Sequence, residues 1–273
     1  MKTIRLIELF AGYGSQAMAL KRLGLPFEHH FVCEFDKYAI ASYNAVHSTS
    51  FPVSDIRDIH ASDLEITDRD KYTYLLTYSF PCTDLSVAGR MQGMSRDSGT
   101  RSGLLWEVER LLKECGAELP QLLFMENVTQ VHGQNNIDDF AEWISFLDSL
   151  GYKSKWADLN AKDYGVAQNR DRCFMVSWLG ERHFDFPKPR PLNKTMKDYL
   201  EDNVAEKYYL KSEKAQKLIQ DLVESGQIER ERESIDLMYG NPTRLDVSNT
   251  IQTAQRGISN NYRESTGVCE CEP

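Results

Sequence analysis

Strand and helix signals alternate through the first two thirds of the chain, and this alternation restricts the fold more than any other feature. Ile4–Phe10 is an apolar, β-prone run. It is followed by the small residues Ala11-Gly12-Tyr13-Gly14-Ser15 and by a helical pattern over residues 16–23 that Gly24 is placed to end. Further strands are expected at Phe27–Glu34, Val53–Ile56, Leu75–Ser79, Leu122–Met125, Tyr152–Leu159 and Cys173–Leu179, and helices at Lys37–Ala45, Leu104–Lys113 and Ile137–Leu150. Strands separated by helices imply crossover connections. The pattern therefore predicts an α/β fold, a mostly parallel sheet with helices on both faces.

The character changes after about residue 180. Phe186-Pro187-Lys188-Pro189-Arg190-Pro191 reads as a linker, because its prolines break both helix and sheet. Beyond it, Ser212–Ser225 reads as one amphipathic helix closed by Gly226. Residues 1–180 are expected to form the large domain, and 181–273 a linker with a small one.

Apolar residues make up 41% of the 273 and charged residues 27%, enough to bury a sizeable core. A net charge of −9 argues against a generic basic coater of nucleic acid, though not against a local basic cleft. No run of about 18 uncharged apolar residues exists, so no membrane span is expected. The residues after Met1 lack the apolar core of a signal peptide. The six cysteines are scattered, without paired Cys-x-x-Cys units, which points to free thiols in a reducing cytoplasm. Cys269-Glu270-Cys271 is a weak metal pattern, and no metal is expected.

Chemistry-bearing residues sit at successive strand ends. The Phe10–Gly14 loop lets backbone approach a nucleotide at a helix N-terminus, but two glycines also suit a plain tight turn. Glu34 ends the second strand, where an acid can bind ribose hydroxyls, and Asp55-Ile56 could meet an adenine; each acid alone also reads as a surface residue. Pro81-Cys82 lies past the next strand, which would expose the thiol at the ligand-binding edge, unless Cys82 is a buried structural cysteine. The segment Val87–Gly103 carries four glycines and suits a moving lid. Glu126-Asn127-Val128 follows an apolar strand one position over, as a pocket acid or a capping carboxylate. In Gln168-Asn169-Arg170-Asp171-Arg172, alternation along an extended segment would put both arginines on one face, to hold an anion or carbonyl or to form surface ion pairs.

Taken in order, this set resembles the DNA cytosine carbon-5 methyltransferase family, from Ile7 to about Leu179. The resemblance implies a Rossmann-like methyltransferase fold, a seven-strand mixed sheet flanked by helices, with a small and partial target-recognition domain. It implies S-adenosylmethionine as cofactor, leaving as S-adenosylhomocysteine, held by Phe10, Ala11, Gly12, Gly14, Glu34, Phe35, Asp55, Ile56 and Pro81. Cys82 would be the nucleophile, Glu126 would contact the cytosine ring nitrogen and amine, and Arg170 and Arg172 would position the base. Pro81, Ser86, Asn127, Val128 and Gln168 would line the substrate side. The partner implied is double-stranded DNA, with the base flipped out, in an enzyme of the restriction-modification type from a bacterium or phage.

The first loop has Ser15 where the family usually has a second adjacent glycine. The usual Gly-Asn segment that completes the cofactor pocket is not found after Thr250-Ile251-Gln252-Thr253. A second polypeptide could supply that part, or the chain could be a truncated subunit with little activity of its own. Near the linker, Lys188, Arg190, Lys194 and Lys197 are candidate phosphate contacts. Methylation of transfer RNA is a further alternative, but the Cys-Phe-Thr segment of that branch does not occur between residues 173 and 240.

Overall fold

The computed structural model describes residues 2–82, 85, 93–96, 99–199 and 213–225, and the short strands at 234–236, 241–242, 248–249 and 268–270. The chain divides into two compact units. The first is Met1–Asp158 with Arg172–Pro187, and the second is Leu159–Asp171 with Lys188–Pro273. Leu159–Asp171, and Gln168 and Arg170 with it, group with the C-terminal half.

In the first unit the chain runs through β1 (Thr3–Leu9), α1 (Ser15–Arg22), β2 (Phe27–Cys33), α2 (Lys37–His47), β3 (Tyr72–Tyr78), α3 (Leu105–Cys115), β4 (Leu122–Asn127), α4 (Ile137–Ser149) and β5 (Lys153–Asn160). It returns through β7 (Asp171–Trp178), after the short β6 (Gln168–Asn169). The sheet order is β2-β1-β3-β4-β7-β5. β1 is parallel to β2 and β3, and β3 to β4, whereas β7 runs antiparallel to β4. This is the mixed α/β, Rossmann-like arrangement.

Apolar runs without polar alternation suit strands covered on both faces. In β1, Ile7 and Leu9 join the main core, which also holds Tyr74, Leu76 and Tyr78 of β3, Leu123 and Met125 of β4, and Cys173 and Met175 of β7. Leu105, Val108, Leu111 and Leu112 of α3 and Phe140, Trp143 and Leu147 of α4 close that face at helical spacing. Leu6 turns the other way, onto Ala17 and Leu20 of α1. Gly24 ends the α1 turn at φ +64°, as its position suggested.

Six strands form this sheet among the described residues, against the seven expected. The Val53–Ile56 stretch makes no ladder. Its Ser54 N–H donates to the Glu34 carbonyl (3.0 Å). Asp55 then caps a 3-10 turn over Ile56–Asp58, its side chain accepting from the Arg57 N–H. A side chain that competes for backbone donors stops strand pairing there.

In the second unit β6 pairs in parallel with β10 (Ser248–Asn249), and β8 (Ser234–Asp236) pairs antiparallel with β9 (Asn241–Pro242) and β11 (Val268–Glu270). The expected amphipathic helix is α5 (Glu213–Glu224).

Candidate active site

β1, β2, β3 and β4 are mutually parallel, so their C-terminal ends share one edge of the first unit. β7 is antiparallel, so its start lies at that same edge. The chain goes from β1 out to β2 and back across to β3, making a switch point of the kind where open α/β sheets bind ligands.

At the β1 exit three residues take left-handed backbone: Phe10 (φ +57°), Gly12 (φ +57°) and Gly14 (φ +81°). Phe10 is the costly one, because its Cβ disfavours that region. A Cβ on Gly12 would meet nothing within 4 Å, so the loop is open on that side. One on Gly14 would lie 2.3 Å from His47 Nε2 and 2.6 Å from Tyr43 Cε2. The loop is thus floored by α2, and His47 Nε2 also lies 3.0 Å from the Tyr13 carbonyl. Glu34 ties this loop to the β2 exit: one oxygen accepts from the Gly12 N–H and the other from the Asp36 N–H, both at 2.8 Å. Ala11 donates to the Cys33 carbonyl (3.2 Å). Phe35 stands 71% exposed beside them. Open backbone, a carboxylate and an exposed ring fit a nucleoside-bearing cofactor.

Asp55 and Ile56 are less available. Arg57 grips both Asp55 oxygens (3.0 and 2.5 Å) and holds that carboxyl below its usual range. Ile56 is buried in the main core.

At the β3 exit, Asn127 Nδ2 donates to the Phe80 carbonyl (3.0 Å), and Ser102 Oγ donates to the Pro81 carbonyl (2.7 Å). Leu85 N–H closes a turn on the Cys82 carbonyl (3.1 Å). Cys82 itself is half-buried. Of the other described cysteines, burial pushes the thiols of Cys33 and Cys115 up to about 11 and that of Cys173 up to about 12. Those three stay protonated near neutrality and are poor nucleophiles.

At the β4 exit Glu126 pairs with Arg172, whose Nε lies 3.1 Å from Oε1; both side chains are about four-fifths covered. The ladder pairs Glu126 with Phe174 and Asn127 with Cys173. Asn127 also accepts from the Val128 N–H (2.8 Å), and Val128 is buried. Sequence order thus brings Pro81, Cys82, Glu126, Asn127, Val128 and Arg172 to one edge.

Arg170 and Gln168 belong to the second unit. There Asn160 Oδ1 accepts from the Arg170 N–H (3.1 Å), and the Arg170 carbonyl accepts from Ala161 (3.0 Å). Arg190 Nε donates to the Tyr164 carbonyl (2.8 Å), and Lys194 lies over the Tyr199 ring. Ser86, Thr250–Thr253 and much of the expected lid lie outside the described residues.

Sequence reasoning missed Ser102 and the group beneath the first loop. Glu8, an acid inside the apolar run of β1, is fully buried and accepts from Tyr43 OH (2.6 Å). His29 Nδ1 lies 2.6 Å from the same hydroxyl. Burial pushes the Glu8 carboxyl up to about 7. The signal was available, since an acid in a central strand demands a partner.

The carboxyl edge of this Rossmann-like sheet thus carries a half-buried cysteine, a carboxylate and a guanidinium. The model of the C-5 cytosine-specific DNA methylases matches residues 4–269. The chain belongs to that family, the DNA cytosine-5 methyltransferases. Among its relatives, the type II methyltransferase M2.ScrFI of Lactococcus lactis subsp. cremoris is 34% identical over 258 residues, covering 77% of this chain and 71% of that one. The orphan methyltransferase M.SssI of Spiroplasma monobiae is 44% identical over 156 residues, covering 57% of this chain and 39% of that one. The chain therefore spans from about two fifths to seven tenths of the length of these relatives. The crystal structure of the S. pombe Dnmt2 methyltransferase shares the fold, with a TM-score of 0.62 at 18% identity over 96% of this chain and 80% of that one.

Proposed function

We infer that this chain methylates carbon 5 of a cytosine swung out of duplex DNA, with Cys82 as the nucleophile and S-adenosylmethionine as the donor. The observation that carries this reading is the braced Phe80-Pro81-Cys82 loop next to the Glu126–Arg172 pair.

Carbon 5 of cytosine is too weak a nucleophile to take a methyl group directly. Addition of the Cys82 sulfur at carbon 6 forms an S–C bond and moves electron density to carbon 5. Glu126, beside the ring nitrogen and amine, relieves the charge that develops there. Arg172 holds Glu126 in place and, with Arg170 from the same family motif, orients the base. The methyl group comes from the cofactor. The carbon-5 proton then leaves, the S–C bond breaks and the thiolate is restored. Unstacking the base costs a few kcal/mol, offset by contacts in the pocket.

Phe10, Ala11, Gly12, Gly14 and Glu34 would hold the cofactor by backbone donors and a carboxylate. Phe35 would cover the adenine, and Asp55, Ile56 and Pro81 would close the far side. Ser86, Val128 and Gln168 are carried over as base-side or DNA-side contacts.

The test is incubation with tritiated cofactor and duplex DNA containing 5-fluorocytosine, in which the fluorine blocks the final elimination. A covalent protein–DNA adduct that disappears in Cys82→Ser supports the reading. An adduct that survives that change refutes it.

A second polypeptide is the other reading. The exposed rings of Tyr13 (56%), Phe35 (71%) and Tyr38 (72%) around the cofactor loop favour it, because a cover there would bury them. Full adduct formation by the isolated chain counts against it.

A further inference from the structure

Three donors of different chemistry converge beside the catalytic edge of the first unit. His132 ends the 3-10 turn Thr129–His132 that follows β4, Asp158 lies near the end of β5, and Cys173 lies near the start of β7. Among the described residues, their nitrogen, oxygen and sulfur atoms form the group with metal-ligating character, all within 4.8 Å of one another. His132 Nε2 lies 2.9 and 3.0 Å from the two Asp158 oxygens. The Cys173 thiol hydrogen-bonds to the same carboxylate. The imidazole is held in place by Trp156, its ring centre 4.7 Å away, and by Phe140 at 5.9 Å. Cys173 is fully buried and in no disulfide.

We propose that His132, Asp158 and Cys173 form a site for a divalent transition metal of the zinc class. A set of one thiolate, one imidazole and one carboxylate selects borderline-soft ions, and magnesium and calcium, which take oxygen ligands, are disfavoured. With metal–ligand bonds of about 2.0–2.3 Å, tetrahedral ligand atoms stand roughly 3.3–3.7 Å apart. The His132–Asp158 contact must therefore open slightly and the widest pair must close. Asp158 and His132 can supply that movement, since Asp158 is 40% exposed and His132 is 21% exposed. On binding, the Cys173 proton passes to solvent as the S–metal bond forms, and the ion's charge balances thiolate and carboxylate. The fourth position is left for water. Cys173 is the ladder partner of Asn127, so the ion would clip β5 and β7 to the β4 exit that carries Glu126.

The probe is cobalt(II), added to the purified, metal-stripped chain. One equivalent is expected to give a thiolate-to-cobalt charge-transfer band with tetrahedral d–d absorption, and zinc is expected to displace it and raise the melting temperature. Cys173→Ser is expected to abolish the band, and His132→Asn to weaken binding by at least about tenfold. A double change of Cys269 and Cys271 to Ser is expected to leave the spectrum intact. If Cys173→Ser fails to fold, His132→Asn carries the test, because its ring is partly exposed. No band with millimolar cobalt, an unchanged titration in His132→Asn, or a band lost only with Cys82, Cys269 or Cys271 overturns the proposal.

Discussion

The side-chain amide of Asn127 donates to the backbone carbonyl of Phe80 across 3.0 Å, linking the exits of two neighbouring parallel strands. One exit carries Glu126 and the other Cys82. Truncation to Ala leaves the Phe80 carbonyl and the Val128 N–H without these partners in a buried setting, at a cost of about 1–3 kcal/mol. Asn127→Ala should lower stability by that amount in urea unfolding. It should also slow single-turnover adduct formation more than it weakens cofactor binding.

Gly14 sits where a side chain has no room. A Cβ there would collide with His47 and Tyr43, and φ is +81°. Gly14→Ala should weaken cofactor binding at least about tenfold, because the loop must shift. His47→Ala removes the nearest atoms. The double variant should recover part of the loss, a coupling that calorimetric titration of all four proteins would measure.

Glu8 predicts how stability varies with pH. Its carboxyl is raised from the ordinary 4.5 to about 7 by burial. Below pH 4.5 folded and unfolded chains both hold the proton and the group contributes no difference. Between 4.5 and 7 the unfolded chain releases it while the folded chain keeps it, so stability falls as pH rises, by about 3 kcal/mol in total. Glu8→Gln should lose that slope. His29, whose pKa burial lowers, contributes the opposite slope in both proteins. The difference between their pH–stability curves isolates Glu8.

The Arg172–Glu126 contact predicts a split between binding and chemistry. Arg172→Lys keeps the charge but loses the planar guanidinium, and Glu126→Gln keeps the shape but loses the charge. Both should leave cofactor affinity near that of the parent and reduce the rate of adduct formation, by about 100-fold or more. Equal losses in cofactor binding would place the pair elsewhere in the cycle.

The alternation of elements was legible because strands covered on both faces carry mainly apolar stretches, as Leu6-Ile7 in β1 and Leu75-Leu76 in β3 show. The 53–56 stretch misled because Val53 and Ile56 look strand-like, while the capping side chain of Asp55 decides the local conformation. α2 continues past Ala45 to His47, where His47 packs on Tyr43 and reaches the Tyr13 carbonyl. β4 extends to Asn127 because β7 pairs with it that far. That Gly12, Glu34, Cys82 and Glu126 fall at strand exits and Arg172 at the start of the last strand was readable from the apolar runs. The braces behind them were not, since Ser102 to Pro81 and His47 to Tyr13 join residues far apart in sequence.

The polypeptide quits the first unit after Asp158, rejoins it at Arg172 and departs again past Pro187. Chimeras that exchange the second unit for a relative's consequently need two grafts. A swap made at the proline-rich joint alone would retain the host's Gln168 and Arg170 beside a foreign C-terminal segment, and the strand that pairs with Ser248–Asn249 would have to accept a stranger's edge.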